Sequence, residues 1–134
     1  IMLYFAYGSN LHQEQMKKRC SGCKYFKRYI LQDYRLTFRS ELCVADIDYK
    51  KGSSVQGALY EITEKDESCL DKYEDFPILY KKIFFKYEGS DVMAYFMEKK
   101  TPFKYPSTRY LNIIKQGYKD CDLDTNFLNK ALKG

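Results

Sequence analysis

Two separated parts of this chain carry the groups most able to do chemistry: the turn Tyr7-Gly8-Ser9-Asn10 and a single glutamate, Glu74. Leu3-Tyr4-Phe5-Ala6, just before the turn, is apolar and aromatic, as suits a buried strand. Gly8 can take backbone angles closed to other residues, and the small polar Ser9 and Asn10 suit the capping of a following helix. A strand ending in such a turn aims several N–H groups at one spot, at the positive end of the next helix. That arrangement favours a carboxylate or a developing oxyanion. Taken alone, the same residues also make an ordinary structural turn.

Glu74 earns attention from its place on a helix. Thr63-Glu64-Lys65-Asp66 forms a capping box with Asp in the Glu position, and the helix it opens runs to about Asp75, ahead of Pro77. At about 100° per residue, Cys69, Leu70 and Tyr73 form the apolar face, while Glu67, Asp71, Lys72 and Asp75 point outward. Glu74 falls within about 40° of Leu70, in the last turn. Desolvation, the negative end of the helix and the charge of Asp75 would all raise its pKa. A carboxyl tuned upward is what a general base and acid near neutral pH requires. A solvated glutamate at a frayed helix end would look the same in sequence.

Other chemistries lack their parts. The five cysteines fit no disulfide or zinc spacing, and Cys20-Ser21-Gly22-Cys23 lies at the end of a predicted helix, not at a helix start. With His12 the one histidine, no metal site is expected. A Ser-His-Asp hydrolase would need His12, and Ser9 has no nucleophile elbow around it. Neither a phosphate loop nor a dinucleotide fingerprint is present. The formal charge is +5, and basic residues interleave with aromatics in Lys24-Tyr25-Phe26-Lys27-Arg28-Tyr29. Such a pattern could grip nucleic acid, but the basic residues spread along the whole chain and read better as solvent cover for a strand.

The elements that must position these groups follow from periodicity. The 134 residues suit one domain, 1–134, with a single core. Met2 reads as the initiator, with Ile1 an extra residue ahead of it. No apolar run approaches the roughly eighteen residues of a membrane span, the short hydrophobic start lacks a basic leader and reads as a strand, and five cysteines without a disulfide spacing make a cytoplasmic location the expectation. Strands are expected at Met2–Ala6, along Lys24–Arg39 as one long or two broken pieces, at Leu42–Tyr49 and at Val55–Ile62, with a turn over Lys50–Ser54. Tyr80–Tyr87 and Asp91–Phe96 make a hairpin around Glu88-Gly89-Ser90. Besides the helix ending near Glu74, helices are expected at Leu11–Cys20, Ser107–Gln116 and Thr125–Leu132. The sum is an α+β fold: about six or seven strands in a small mixed β-barrel or strongly curved sheet, with inserted and C-terminal helices.

Taken together, the two chemical segments resemble a known family. Tyr4-Phe5-Ala6-Tyr7-Gly8-Ser9-Asn10-Leu11 is similar to the opening motif of the γ-glutamylcyclotransferases. Ala45-Asp46-Ile47, Gly57-Ala58-Leu59-Tyr60-Glu61-Ile62 and Leu70-Asp71-Lys72-Tyr73-Glu74 resemble the blocks that lead to its catalytic glutamate. Ala94-Tyr95-Phe96-Met97 and Pro106-Ser107-Thr108-Arg109-Tyr110, with Gly117 beyond, resemble its closing hairpin and helix start. The segment between Arg39 and Val55 is short for the family.

The resemblance implies cyclisation of a γ-glutamyl group to 5-oxoproline with release of an amine or amino acid, without metal or cofactor. It implies Glu74 as the proton carrier, and substrate contacts from Tyr4, Phe5, Ala6, Tyr7, Gly8, Ser9, Asn10, Tyr80, Tyr95 and Tyr110. The implied partner is a small γ-glutamyl substrate, on a monomer or homodimer. The alternatives within the family are cyclotransfer from γ-glutamylamines and removal of a γ-glutamyl protecting group. Outside it stands a non-catalytic basic binding module of the same fold.

Overall fold

The computed structural model describes residues 2–134; Ile1, read above as an extra residue, lies outside them. In chain order the elements are β1 (Met2–Ala6), a 3-10 turn (Ser9–Leu11), α1 (Gln13–Arg19), β2 (Lys24–Arg39), β3 (Val44–Ile62), α2 (Glu64–Tyr73), β4 (Lys81–Tyr87), β5 (Ser90–Phe96), α3 (Thr108–Asp120) and α4 (Thr125–Ala131). The strands form one sheet in the order β2-β3-β1-β5-β4. All neighbours are antiparallel except β1 and β5, which run parallel through Leu3–Val92 and Tyr4–Met93.

Five strands replace the expected six or seven. Lys24–Arg39 is one long strand, one of the two forms expected, and β3 runs on as one element through Lys50–Ser54, although Lys50–Ser53 there have no paired residue on β2. Asp33 takes a left-handed conformation where the β2–β3 register slips, and its carboxylate accepts the Gly52 N–H at 3.0 Å. Gly52, at φ 86°, lies in the unpaired bulge Lys50–Ser53, and pairing resumes beyond it at Tyr34–Tyr49. The hairpin of β4 and β5 closes as expected through Glu88 and Gly89, both at positive φ.

The sheet is strongly curved but does not close by hydrogen bonds, which corrects the barrel. Its two edge strands meet instead through side chains. Tyr29 of β2 stacks on Phe85 of β4 with ring centres 5.9 Å apart, and Tyr87 packs edge-on against Phe26 and Tyr29. The Lys27 ammonium donates to the Tyr87 hydroxyl at 2.9 Å. Among the sheet residues Phe5, Phe38, Ile47, Leu59, Val92 and Met93 are all buried, Val92 and Met93 on opposite faces.

Two further devices fix the frame around the site. Asp46, fully buried, pairs with Arg39 and accepts the Met97 N–H at 2.8 Å and the Lys100 ammonium at 3.0 Å. Arg39 also bonds Asp48 and holds that carboxyl well below the usual carboxylate range. This cluster ties the start of β3 to the segment after β5. At the other side α3 runs past Gly117, longer than expected, because a glycine there lets the helix lie against Leu11. A Cβ at Gly117 would come within 2.6 Å of the Leu11 side chain.

Gly57 makes the closest backbone approach in the sheet. A Cβ on it would sit 2.1 Å from the Ala6 carbonyl oxygen and 2.8 Å from the Phe5 ring. Neither neighbour is a free side-chain end, so Gly57→Ala should lower stability by about 2–4 kcal/mol, through forced separation of β1 from β3. Urea unfolding checks this, and a change within about 0.5 kcal/mol would show that the strands part easily.

Candidate active site

The site forms where β1 runs out. Beyond Ala6 the chain turns through Gly8 into the 3-10 turn, and the N–H groups of Ser9 and Asn10 in its first turn have no intrahelical acceptor. A Cβ on Gly8 would lie 3.1 Å from the Ala45 side chain and 3.4 Å from the Tyr110 hydroxyl, so a larger residue would crowd the site. Ser9 and Asn10 do not cap the following helix, contrary to expectation. His12 does so, its Nδ1 accepting the Gln15 N–H at 3.2 Å. The Ser9 and Asn10 side chains instead accept from the Arg19 guanidinium, and the Asn10 amide donates to the Tyr4 hydroxyl at 2.9 Å.

Across from this turn stands α2. Thr63 and Asp66 form the expected reciprocal cap at its start, and Leu70 anchors it in the core. Glu74 is its C-cap residue, its N–H bonded to the Leu70 carbonyl at 2.8 Å, and left-handed Asp75 ends the helix. Asp71, expected to point outward, faces the sheet. It accepts the Tyr95 hydroxyl at 2.6 Å and pairs with Lys82 at 2.9 Å, and Lys82 also pairs with Glu67 at 2.7 Å. These contacts fasten the last turns of α2 to β4 and β5.

Between turn and helix lies a cavity of about 200 Å³. Tyr4, Tyr7, Gly8, Ser9, Asn10, Glu74, Tyr80, Tyr95 and Tyr110 all line it. Phe5 and Ala6 do not: Phe5 packs into the seam against Tyr29 and Phe85, and Ala6 pairs with Ala58. Among the described residues the Glu74 carboxylate has no hydrogen-bond or ion-pair partner. Removal from water lifts its pKa to about 7, against the opposing pull of the Arg19 guanidinium.

The tyrosines divide by what their hydroxyls already do. Tyr7 donates to the Tyr95 carbonyl at 2.7 Å, Tyr80 to the Ala45 carbonyl, and Tyr95 to Asp71. Tyr110 accepts the Ala45 N–H at 3.0 Å, and Tyr4 accepts from Asn10. Tyr4 and Tyr110 therefore keep a hydroxyl proton that can be offered to a ligand. Desolvation, with the Glu74 charge adding to it, pushes both phenols above their usual range, so they stay donors.

Arg19 is the site residue that the sequence reading missed. It reaches Ser9, Asn10 and Gln15, and its guanidinium lies 3.5 Å from the centre of the Tyr73 ring. Its signal was its place at the end of the short helix after the turn, but within Lys17-Lys18-Arg19 it looked like surface charge. Of the cysteines, burial pushes the Cys20 thiol up to about 12 and raises Cys23, the reverse of a reactive thiolate. Among the described residues, no three His, Cys, Asp or Glu side chains group to hold a metal ion, and no helix is long and apolar enough to cross a membrane.

A curved α+β sheet with one carboxyl, main-chain donors and phenol hydroxyls around a small cavity is the frame of a small-molecule enzyme domain. The chain belongs to the gamma-glutamyl cyclotransferase, AIG2-like family, whose family model matches residues 4–117. Among solved structures it resembles one titled gamma-glutamyl cyclotransferase, at 27% identity and a TM-score of 0.79, covering 99% of this chain and 86% of that one. It also resembles the human uncharacterized protein loc79017, at 29% identity and 0.79, with coverage of 99% and 86%. YkqA from Bacillus subtilis shares the fold at 23% identity and 0.81, across 99% of this chain and 54% of that one. No curated protein matches the chain with significance.

A carboxyl with its folded pKa raised from 4.5 to about 7 destabilises the native state wherever it must ionise. That penalty is absent below the unfolded pKa and complete above the folded one. Glu74→Gln should therefore be more stable than the parent at pH 8, by on the order of 1–3 kcal/mol, with the gain shrinking as pH falls from 7 toward 4.5. Denaturant unfolding at pH 5 and pH 8 measures it; equal stabilities at both would mean the carboxyl is hydrated.

Proposed function

We propose that this protein is a γ-glutamyl cyclotransferase in which Glu74 carries the protons and the Tyr7–Asn10 turn binds the γ-glutamyl group. The observation that carries the reading is a carboxyl without a protein partner lining the same cavity as the turn that follows β1, where burial lifts its pKa to about 7. At neutral pH such a group is present in both protonation states, as a proton carrier requires.

The substrate's α-ammonium loses a proton to Glu74, and the freed lone pair attacks the γ-carbonyl carbon of the same molecule. A carbon–nitrogen bond forms, closing a five-membered ring, and the carbonyl oxygen becomes negative. The N–H groups of Ser9 and Asn10 and the free protons of Tyr4 and Tyr110 are the donors available for that oxygen or for the α-carboxylate. The bond to the departing nitrogen then breaks. The proton on Glu74 and the second proton shed by the ring nitrogen end on the released amine, leaving 5-oxoproline. No enzyme nucleophile enters, because the attacking group is already tethered to its target. Holding the chain folded for attack supplies much of the rate, since well-oriented intramolecular reactions reach effective molarities of about 10⁵ M and above.

The role of Arg19 in this scheme is electrostatic and positional. It favours the ionised form of Glu74 and holds the Ser9 and Asn10 side chains.

Four outcomes test the reading. Glu74→Gln should lose at least about a thousand-fold in 5-oxoproline release while still melting cooperatively; retained turnover would remove Glu74 from the mechanism. Tyr110→Phe keeps the ring but loses the hydroxyl, and kcat should fall by about ten- to a hundred-fold. The parent's kcat/KM should rise with pH through a midpoint near 7, the value set by burial of Glu74. Because Arg19 pulls that value down, Arg19→Met should move the midpoint upward; a downward or absent shift would contradict the assigned coupling.

A further inference from the structure

A second cavity, of about 360 Å³, adjoins the catalytic one, and Leu42 and Leu79 line both. Its remaining apolar surface comes from Ile78 and from Met97. Met97 is buried, but Leu42 is 66% exposed and Ile78 is 80% exposed, two large apolar side chains that no neighbour in the fold covers. Glu41 and Lys99 also line the cavity, so it carries one charge of each sign and favours neither a cationic nor an anionic occupant by net charge.

The walls are built and held rather than loose. On one side Ser40 and Cys43, both left-handed, form the turn between β2 and β3, closed by the Cys43 N–H on the Ser40 carbonyl at 3.0 Å. The Ser40 N–H is fixed to the Thr101 hydroxyl at 3.0 Å, and the Leu42 N–H to the Ser40 hydroxyl at 3.1 Å. On the other side the Ile78 and Leu79 N–H groups bond the Asp75 carbonyl at 2.9 and 2.8 Å, directly after Glu74. Met97 is pinned from behind, where its N–H reaches the buried Asp46 carboxylate. A preformed apolar trough that opens from the wall bearing the proton carrier is placed to receive the part of the substrate that leaves.

We infer that this trough is the leaving-group subsite, and that the preferred substrates are γ-glutamyl amino acids whose released amino acid has a bulky apolar side chain. The inference rests on the cyclotransferase reading given above and deepens it. The γ-glutamyl half fills the polar cavity between Glu74 and the Ser9–Asn10 turn. The scissile amide nitrogen lies at the junction marked by Leu42 and Leu79, and the apolar side chain beyond it covers Leu42, Ile78 and Met97. The bond broken is the amide bond to that nitrogen, and the proton it receives comes from Glu74. A single methylene in an apolar pocket is worth roughly ten-fold or somewhat more in selectivity, so a leucine-sized side chain has ample range.

The test compares γ-glutamyl-leucine with γ-glutamyl-glycine on the intact protein, reading 5-oxoproline. The parent should turn over the leucine dipeptide with a kcat/KM about ten-fold or more above that of the glycine dipeptide. Ile78→Ser, an exposed change that leaves the fold in place, should cut that ratio by about five-fold or more, mainly through KM for the leucine dipeptide. Leu42→Ser, on the opposite wall, should do the same and guards against a local disturbance by one substitution. Turnover of both dipeptides with equal kcat/KM, or a ratio unmoved in both variants, would overturn the subsite while leaving the cyclotransferase standing. Absence of 5-oxoproline from both dipeptides, and from γ-glutamyl-lysine as a polar control, would overturn the cyclotransferase reading itself.

Discussion

The site depends on keeping one carboxyl half out of water without giving it a protein partner. A group in that position tends either to find a cation or to turn outward, because desolvating an unpaired charge is unfavourable. Here both escapes are closed by the way α2 is held. Its N-terminus is locked by the Thr63–Asp66 cap, its middle by Leu70 in the core, and its last turns by Asp71 on Tyr95 and Lys82. The nearby cation is occupied elsewhere, since the Arg19 guanidinium is spent on Ser9, Asn10 and Gln15 and lies against Tyr73. The carboxyl senses its charge without being neutralised by it.

Around that carboxyl the tyrosines serve as core and as equipment at once. Tyr4, Tyr7, Tyr80 and Tyr95 are all buried, and rings of Tyr4 and Tyr80 pack edge-on against Tyr95 at about the spacing of aromatic pairs. The hydroxyls of Tyr7, Tyr80 and Tyr110 hold backbone groups: Tyr7 bonds the Tyr95 carbonyl, and Ala45 is gripped on its N–H by Tyr110 and on its carbonyl by Tyr80. A phenol suits this double duty, with an apolar body for packing and one polar atom that can both give and take a proton.

Much of this was legible in the sequence, and the failures have physical causes. The strand, turn and capping-box signals located β1, the Gly8 turn and α2, because each depends on residues adjacent in the chain. The hairpin of β4 and β5 was visible for the same reason. Asp71 was misread because helical periodicity sorts residues by angle alone, and a carboxylate on the polar flank can be turned inward by a lysine and a tyrosine from distant strands. The strand count was too high because Gly52 signals a break, whereas Asp33, far back in sequence, bonds the Gly52 N–H across an unpaired bulge and the same strand resumes on the other side. Phe5 and Ala6 belong to the right motif but not to the cavity. Arg19 was hidden among lysines that do face solvent.

The seam between β2 and β4 has a mechanical consequence. Tyr29, Phe85, Tyr87, Phe26 and Lys27 join the two edges by contacts that have no register, unlike a peptide ladder. This line therefore joins the two edges without dictating how their strands align. Lysines at 24, 27, 81 and 86 stud the two margins, and charged margins discourage a neighbouring molecule from adding a strand there. The fold thus closes its open sheet with rings and fences the closure with charge.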